Sequence, residues 1–297
     1  MRADPALKAQ ARALSFEIAS PLDPPREVQL HGFRLHALTE SQCIRHILAA
    51  LAVNRGGWVI TPNLDHLRRA RRDPVYRAML AEADIVVADG MPLVWASRLQ
   101  GTPLPERVAG SSLIQTLSEA AALRDHRLFL LGGAPGAAAR AATVLAERFP
   151  GSPVVRYDEA PYGFDRDPAA IDQLAARLRE SQPAIVFVAL GSPKQEQIIR
   201  QLRPVLPNAW WLGVGISFSF VAGQVRRAPR WMQQAGLEWM HRLAQEPTRL
   251  GRRYLLDGPP FAMSLLCRAG LSRCKPKRGQ PVAIHSQTLI DGGNRAT

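Results

Sequence analysis

The chain has 297 residues, 46% of them hydrophobic, and a formal net charge of +13. That length and apolar content suit one large α/β domain, or two small ones, with a sizeable core. No run approaches the ~18–20 apolar residues of a membrane-spanning helix, and Cys43, Cys267 and Cys274 have no paired spacing for a metal site, which leaves a spanning protein and a cysteine-metal module out of consideration.

The first 25 residues are Ala-rich and end in Pro21 to Pro25; they read as a loose extension. Asp4, Lys8 and Arg12 interrupt any signal-peptide core. The odd cysteine count fits a reducing cytosol. Val28–Leu30 and Phe33–Leu35 flank His31-Gly32, the pattern of a tight hairpin. Thr39 and Gln42 have the spacing of a capping box and open a helix with Cys43, Ile44, Ile47, Leu48 and Leu51 on its apolar face.

Residues 58–110 organise the rest. Trp58–Thr61 is a β-prone run broken by Pro62, and Asp84–Ala88 is a second that ends in Asp89-Gly90. Thr61, Asn63 and Asp89 therefore sit just past strand ends, where ligands bind in open α/β sheets. Ser111–Leu123 reads as a helix and Leu128–Leu131 as a buried strand. A glycine turn follows, Gly132-Gly133-Ala134-Pro135-Gly136, and then an Ala-rich helix to about Phe149. Such a turn is either an anion site at a helix N-terminus or a tight turn with Pro135 at the first helical position. Its spacing is not the G-x-G-x-x-G dinucleotide fingerprint.

Val154–Tyr157 reads as a strand and Ala169–Glu180 as a helix. Between them, Asp165 and Asp167 could hold a divalent metal, although capping of the helix is the simpler account. Ala184–Leu190 is the most strand-like segment and runs into Gly191-Ser192-Pro193-Lys194-Gln195-Glu196. Ser192 and Gln195 again have capping-box spacing, and a Gln amide can also donate to and accept from a sugar hydroxyl. Trp210–Gly213 is the last clear strand.

From Val225 the character changes. Between Gln224 and Arg278 there are twelve Lys and Arg against three acids, which is +9 of the +13. Arg226 to Leu243 reads as one helix with an apolar stripe of Trp231, Met232, Ala235, Trp239, Met240 and Leu243. A basic helix at Thr248–Leu256 follows Pro247. This appendage is either a helix pair packed on the core with a solvated basic face, or an interfacial pair carrying arginines to a lipid diphosphate. Phe261–Leu271 is apolar but too short to span a bilayer, and residues 272–297 have the composition of a disordered tail. The resulting expectation is a Rossmann-like α/β fold with a mostly parallel sheet over residues 26–228. A basic helical appendage at 229–271 completes it.

Several of these stretches together resemble the WecG/TagA/CpsF family of bacterial glycosyltransferases over roughly residues 28–256. They are Thr61-Pro62-Asn63-Leu64-Asp65, Ala83-Asp84 through Asp89-Gly90, Glu106-Arg107-Val108-Ala109-Gly110, Tyr162-Gly163-Phe164, Gly191 to Glu196, Gly213 to Phe220, and Gly236-Leu237-Glu238-Trp239 with Arg242, Glu246-Pro247 and Arg249. One departure stands out: Ser219 occupies the position where the family usually has Asp. The resemblance implies inverting, metal-independent transfer of a sugar from a UDP donor, without a cofactor, onto a sugar linked to undecaprenyl diphosphate. The donor would be UDP-N-acetylmannosamine, its uronic acid or another UDP-hexose. The enzyme would serve cell-surface polysaccharide synthesis, peripheral on the cytoplasmic face of the membrane.

Within that picture Asp89 is the general-base candidate, against the simpler reading of a turn aspartate before Gly90. Thr61, Asn63, Gln195 and Glu196 are candidates for sugar and acceptor contacts. Gly132, Gly133 and Arg107 are candidates for the donor diphosphate, and Arg242, Arg249 and Arg252 for closing over the site near the membrane. An apolar appendage face would also allow a homo-oligomer in solution. Two other classes stay open: a nucleotide-dependent oxidoreductase on the same core, and a non-catalytic module binding nucleic acid or anionic surfaces through its basic end.

Overall fold

The computed structural model describes residues 24–150 and 154–273. Nearly all of the expected N-terminal extension and C-terminal tail lies outside the described residues. The chain opens with an antiparallel hairpin, β1 (Glu27–Leu30) and β2 (Phe33–His36), whose turn is His31-Gly32. Helix α1 (Glu40–Ala52) carries the full Thr39/Gln42 capping box and buries Cys43, Ile44, Ile47, Leu48 and Leu51 as the periodicity predicts.

Six parallel strands form the main sheet: β3 (Gly57–Ile60), β4 (Ile85–Val86), β5 (Leu128–Gly132), β6 (Val154–Asp158), β7 (Ile185–Ala189) and β8 (Trp210–Gly213). Their order is β4-β3-β8-β7-β5-β6. The central strands read as continuous apolar runs because helices cover both faces. One face carries α2 (Leu64–Arg72), α3 (Pro74–Glu82), α4 (Met91–Gln100), α7 (Pro168–Ser181) and α8 (Lys194–Leu202). The other carries α1, α5 (Gly110–Ala122), α6 (Ala137–Arg148) and the short α9 (Ser217–Val221). The hairpin sits against β4, where the buried His36 ring accepts the Val86 backbone N–H at 2.8 Å through Nδ1.

All the strand C-termini point to one edge. Helix α6 leaves β5 on one face and α8 leaves the neighbouring β7 on the other. The chain thus departs from adjacent strands in opposite directions, and at such a switch point a crevice opens. It lies between the Gly132-Gly133 turn and the Gly191–Glu196 segment.

The first appendage helix, expected as one run from Arg226 to Leu243, is broken. Gly236, with φ of +76°, adopts a left-handed conformation that a helix interior does not accept. It splits the segment into α10 (Arg230–Gln234) and α11 (Glu238–Gln245). Next come α12 (Pro247–Gly251), a π-helical turn at Arg252–Asp257 and α13 (Gly258–Arg273). Phe261, Leu265 and Ala269 of α13 are buried in the same apolar cluster as α2 and α4. Among the described residues, no helix is long and apolar enough to cross a membrane.

Candidate active site

At the β3–β4 end of the edge, backbone bonds fix the loops before any side chain acts. The Asp89 N–H donates to Pro62 O at 2.9 Å, and Val108 N–H donates to Ala88 O at 2.9 Å. These two bonds bring the Thr61–Asn63, Asp89 and Arg107 segments side by side. The Asp89 carboxylate stands 3.8 Å from Arg107 Nη1 and keeps 27% of its side chain exposed. Burial pushes its pKa up to about 6; Arg107 opposes the rise and Glu238 adds to it.

Glu238, at the start of α11, is a site residue that the sequence reading placed in a motif without giving it a role. Its Oε2 accepts Arg107 Nη1 at 2.7 Å and its Oε1 accepts Arg227 Nε at 3.4 Å. Arg227 in turn donates to Ser111 O and Ser112 Oγ at the start of α5. In the sequence Glu238 falls on the polar side of the expected Arg226–Leu243 helix and looks like a solvated surface charge. Only the fold shows that Glu238 spans two arginines contributed by distant segments.

Asn63 caps α2: its side-chain oxygen accepts from the Asp65 and His66 backbone N–H groups at 3.0 and 3.3 Å. The β3 end continues into a cavity of about 10 Å³, room for one water, lined by Thr61, His66, Gln195, Glu196 and Gly213. So Thr61, Gln195 and Glu196, expected on sequence grounds, come together. Gln195 does not form the expected capping box. Its oxygen accepts Gly215 N–H at 3.1 Å and its nitrogen donates to Glu196 Oε1 at 2.9 Å. Ser192 instead bonds the buried Tyr76 hydroxyl at 2.9 Å. Helix packing wins over the local cap because Gly213 leaves space for the Gln195 amide. A Cβ at Gly213 would lie 2.6 Å from its nitrogen.

Burial raises the pKa of Glu196, against the Gln195 hydrogen bond, and its Oε2 has no hydrogen-bond partner among the described residues. His66, 3.9 Å from Glu196 Oε1, is held down to about 4 by burial and by Arg253, and so is neutral at pH 7.

At the β5 end, the glycine turn is only partly free to meet an anion. The Gly133 N–H is taken by Ala189 O at 2.8 Å, and Ala137 N–H by Ala134 O. Pro135 precedes the helix, with Gly136 as its N-cap, instead of occupying the first helical position. Ser219 donates to Gln224 Oε1 at 3.1 Å, and Gln224 Nε2 donates to Pro135 O at 3.1 Å. A hydroxyl at position 219 thus serves a link from α9 through Gln224 to the glycine turn. Asp167 caps α7 through Ala169 N–H, while Asp165 pairs with Lys194 at 2.8 Å.

The three appendage arginines are spread out. Arg242 lies over the Phe220 ring, 6.0 Å from its centroid, and its charge reaches Asp89. Arg249 pairs with Glu246 and is 61% exposed. Arg252 is 85% exposed, 4.0 Å from Asp257. No contact from either of these two to Asp89 is seen.

A carboxylate of raised pKa beside an arginine, on a glycine-bearing switch-point edge, is an arrangement able to bind an anionic ligand and to take a proton. Residues 28–275 match the glycosyl transferase WecG/TagA/CpsF family. Over 213 residues, 72% of this chain and 80% of the relative, the sequence is 34% identical to an N-acetylglucosaminyldiphosphoundecaprenol N-acetyl-beta-D-mannosaminyltransferase of Bacillus spizizenii. The chain belongs to the WecG/TagA/CpsF family of glycosyl transferases.

Proposed function

We propose that this glycosyltransferase moves a hexose from a UDP-sugar onto a sugar linked to a polyprenyl diphosphate. In this reading transfer is a single displacement with inversion, at the cytosolic surface of a membrane, as a step in cell-envelope polysaccharide synthesis. The observation that carries it is Asp89: a partly exposed carboxylate at the strand edge, with a pKa raised to about 6. A base poised near the working pH is the most effective.

As the acceptor hydroxyl oxygen bonds to the anomeric carbon, its proton passes to Asp89. The bond from that carbon to the donor diphosphate breaks, and the electron pair leaves with UDP. Arg107 and Arg242 offset the charge that develops. Thr61, Asn63, Gln195 and Glu196 position sugar hydroxyls. Gly132 and Gly133 let the diphosphate approach the crevice between β5 and β7.

The roles of Asp165 in an ion pair and Asp167 in a cap support transfer without a metal at that pair. The acceptor class is supported by the relative, whose name specifies a diphosphoundecaprenol-linked sugar. Exposed Arg249 and Arg252, with Trp231 62% exposed, support a surface that meets the membrane carrying such an acceptor. Asp89→Asn tests the base: turnover should fall by about 10²-fold or more while UDP-sugar affinity is retained. Full turnover in that variant would remove Asp89 from the mechanism.

A further inference from the structure

We propose that Glu238, on the appendage helix α11, is a positioning residue that readies Asp89 by drawing Arg107 away from it. The proposal rests on the reading of Asp89 as that base.

The geometry is specific. Arg107 Nη1 has two carboxylates within reach, Glu238 at 2.7 Å and Asp89 at 3.8 Å. The shorter contact is a hydrogen bond and the longer one is not. Glu238 itself is held from its other side by Arg227, which α5 anchors through Ser111 O and Ser112 Oγ. Glu238, Arg107 and Arg227 are each less than one-fifth exposed, so their pairing is weakly screened. The four groups Asp89, Arg107, Glu238 and Arg227 sum to zero formal charge.

Remove the Glu238 charge and Arg107 has one acid left at that spot. An arginine paired directly with an aspartate lowers the aspartate's pKa by about 1–3 units. A carboxylate so held is a weaker base. Asp89 faces Arg107 from the segment before α5, Glu238 and Arg242 from α11, and Arg227 from the segment after α9. Glu40 also adds its negative charge near Arg107. Of these, Glu238 is the carboxylate that both hydrogen-bonds Arg107 and raises the Asp89 pKa. The appendage therefore brings to the site, besides its cations, an anion that keeps the nearest cation off the base.

The test follows Asp89 directly and needs no donor sugar. The full-length protein, with 13C-labelled aspartate carboxyls, is titrated by NMR, and the Asp89 signal is identified by its loss in Asp89→Asn. Glu238→Gln keeps an oxygen acceptor for Arg107 without the charge. It should lower the Asp89 midpoint by about one unit or more, with thermal unfolding unchanged within a few degrees.

Arg107→Met supplies the second arm. In that background Glu238→Gln should shift Asp89 by much less, since no arginine remains to be diverted; non-additivity is the signature of the coupling. An unchanged midpoint in Glu238→Gln, or equal shifts in both backgrounds, would overturn the proposal. Failure of Asp89→Asn to slow turnover would instead overturn the base assignment and leave these titrations standing.

Discussion

The Gln195 side-chain oxygen accepts the Gly215 backbone N–H at 3.1 Å, and its nitrogen occupies the space a side chain at Gly213 would need. Helix α8 is thereby tied to the loop after β8, and both flank the Thr61–Glu196 cavity. Gly213→Ala should force the Gln195 amide or the first turn of α8 to move. Overpacking of this kind costs about 1–3 kcal/mol. Urea unfolding should show a lower midpoint with an unchanged slope. A midpoint equal to wild type would mean that the Gln195 side chain swings aside freely.

Asp89 carries a stability signature opposite to that of most acids. Its folded pKa, about 6, lies above the ordinary 3.8, so the folded state binds the proton more tightly. The corresponding stability is fully present below about pH 3.8 and is lost as pH rises through about 6. Asp89→Asn should therefore stabilise the fold at pH 8, by roughly 1–3 kcal/mol, with the gain vanishing near pH 4. Thermal melts at both pH values check this. A variant less stable than wild type at pH 8 would show that Asp89 contributes more through its contacts than its burial costs.

His36 works in the other direction. Its pKa, lowered from 6.5 to about 4 mainly by burial and by Arg34, favours the neutral ring that accepts Val86 N–H. That stability is fully present above 6.5 and disappears as pH falls through about 4. His36→Gln keeps an acceptor for Val86 N–H and removes the titration. Between pH 7 and 4.5 it should lose less stability than wild type. A parallel decline in both would place the acid sensitivity elsewhere, with His66 the first alternative.

Membrane contact calls for point substitutions rather than truncation at residue 229, because Phe261, Leu265 and Ala269 of α13 belong to the core. Arg249 and Arg252 are exposed and can be changed without opening it. Each basic residue at an anionic bilayer contributes about 1 kcal/mol. Replacing both with Ser should weaken partition onto vesicles rich in anionic lipid by roughly thirtyfold at low salt. Unchanged partition would move the contact surface elsewhere.

The strands and their common edge were legible because buried parallel strands are short apolar runs, each ending at a Gly, Pro, Asn or Asp. Thr61, Asp89 and Gln195 all follow the ends of such runs. The Ser192/Gln195 cap misled because the spacing rule sees only local partners, whereas the Gln195 amide found Gly215 twenty residues on. The left-handed backbone at Gly236 breaks the helix without interrupting the apolar stripe, so the break leaves no mark on the hydrophobic period. Glu238 could not be assigned from sequence. Its partners Arg107 and Arg227 are 131 and 11 residues away, and no spacing pattern encodes that meeting.

The most direct test of the account is a panel of UDP-sugars offered with a synthetic prenyl-diphosphate-linked N-acetylglucosamine, read by the mass of the lipid product. The account predicts a gain of one hexose-type residue with one donor, dependent on Asp89. No product with any UDP-sugar, from folded protein in the presence of membranes, would contradict it.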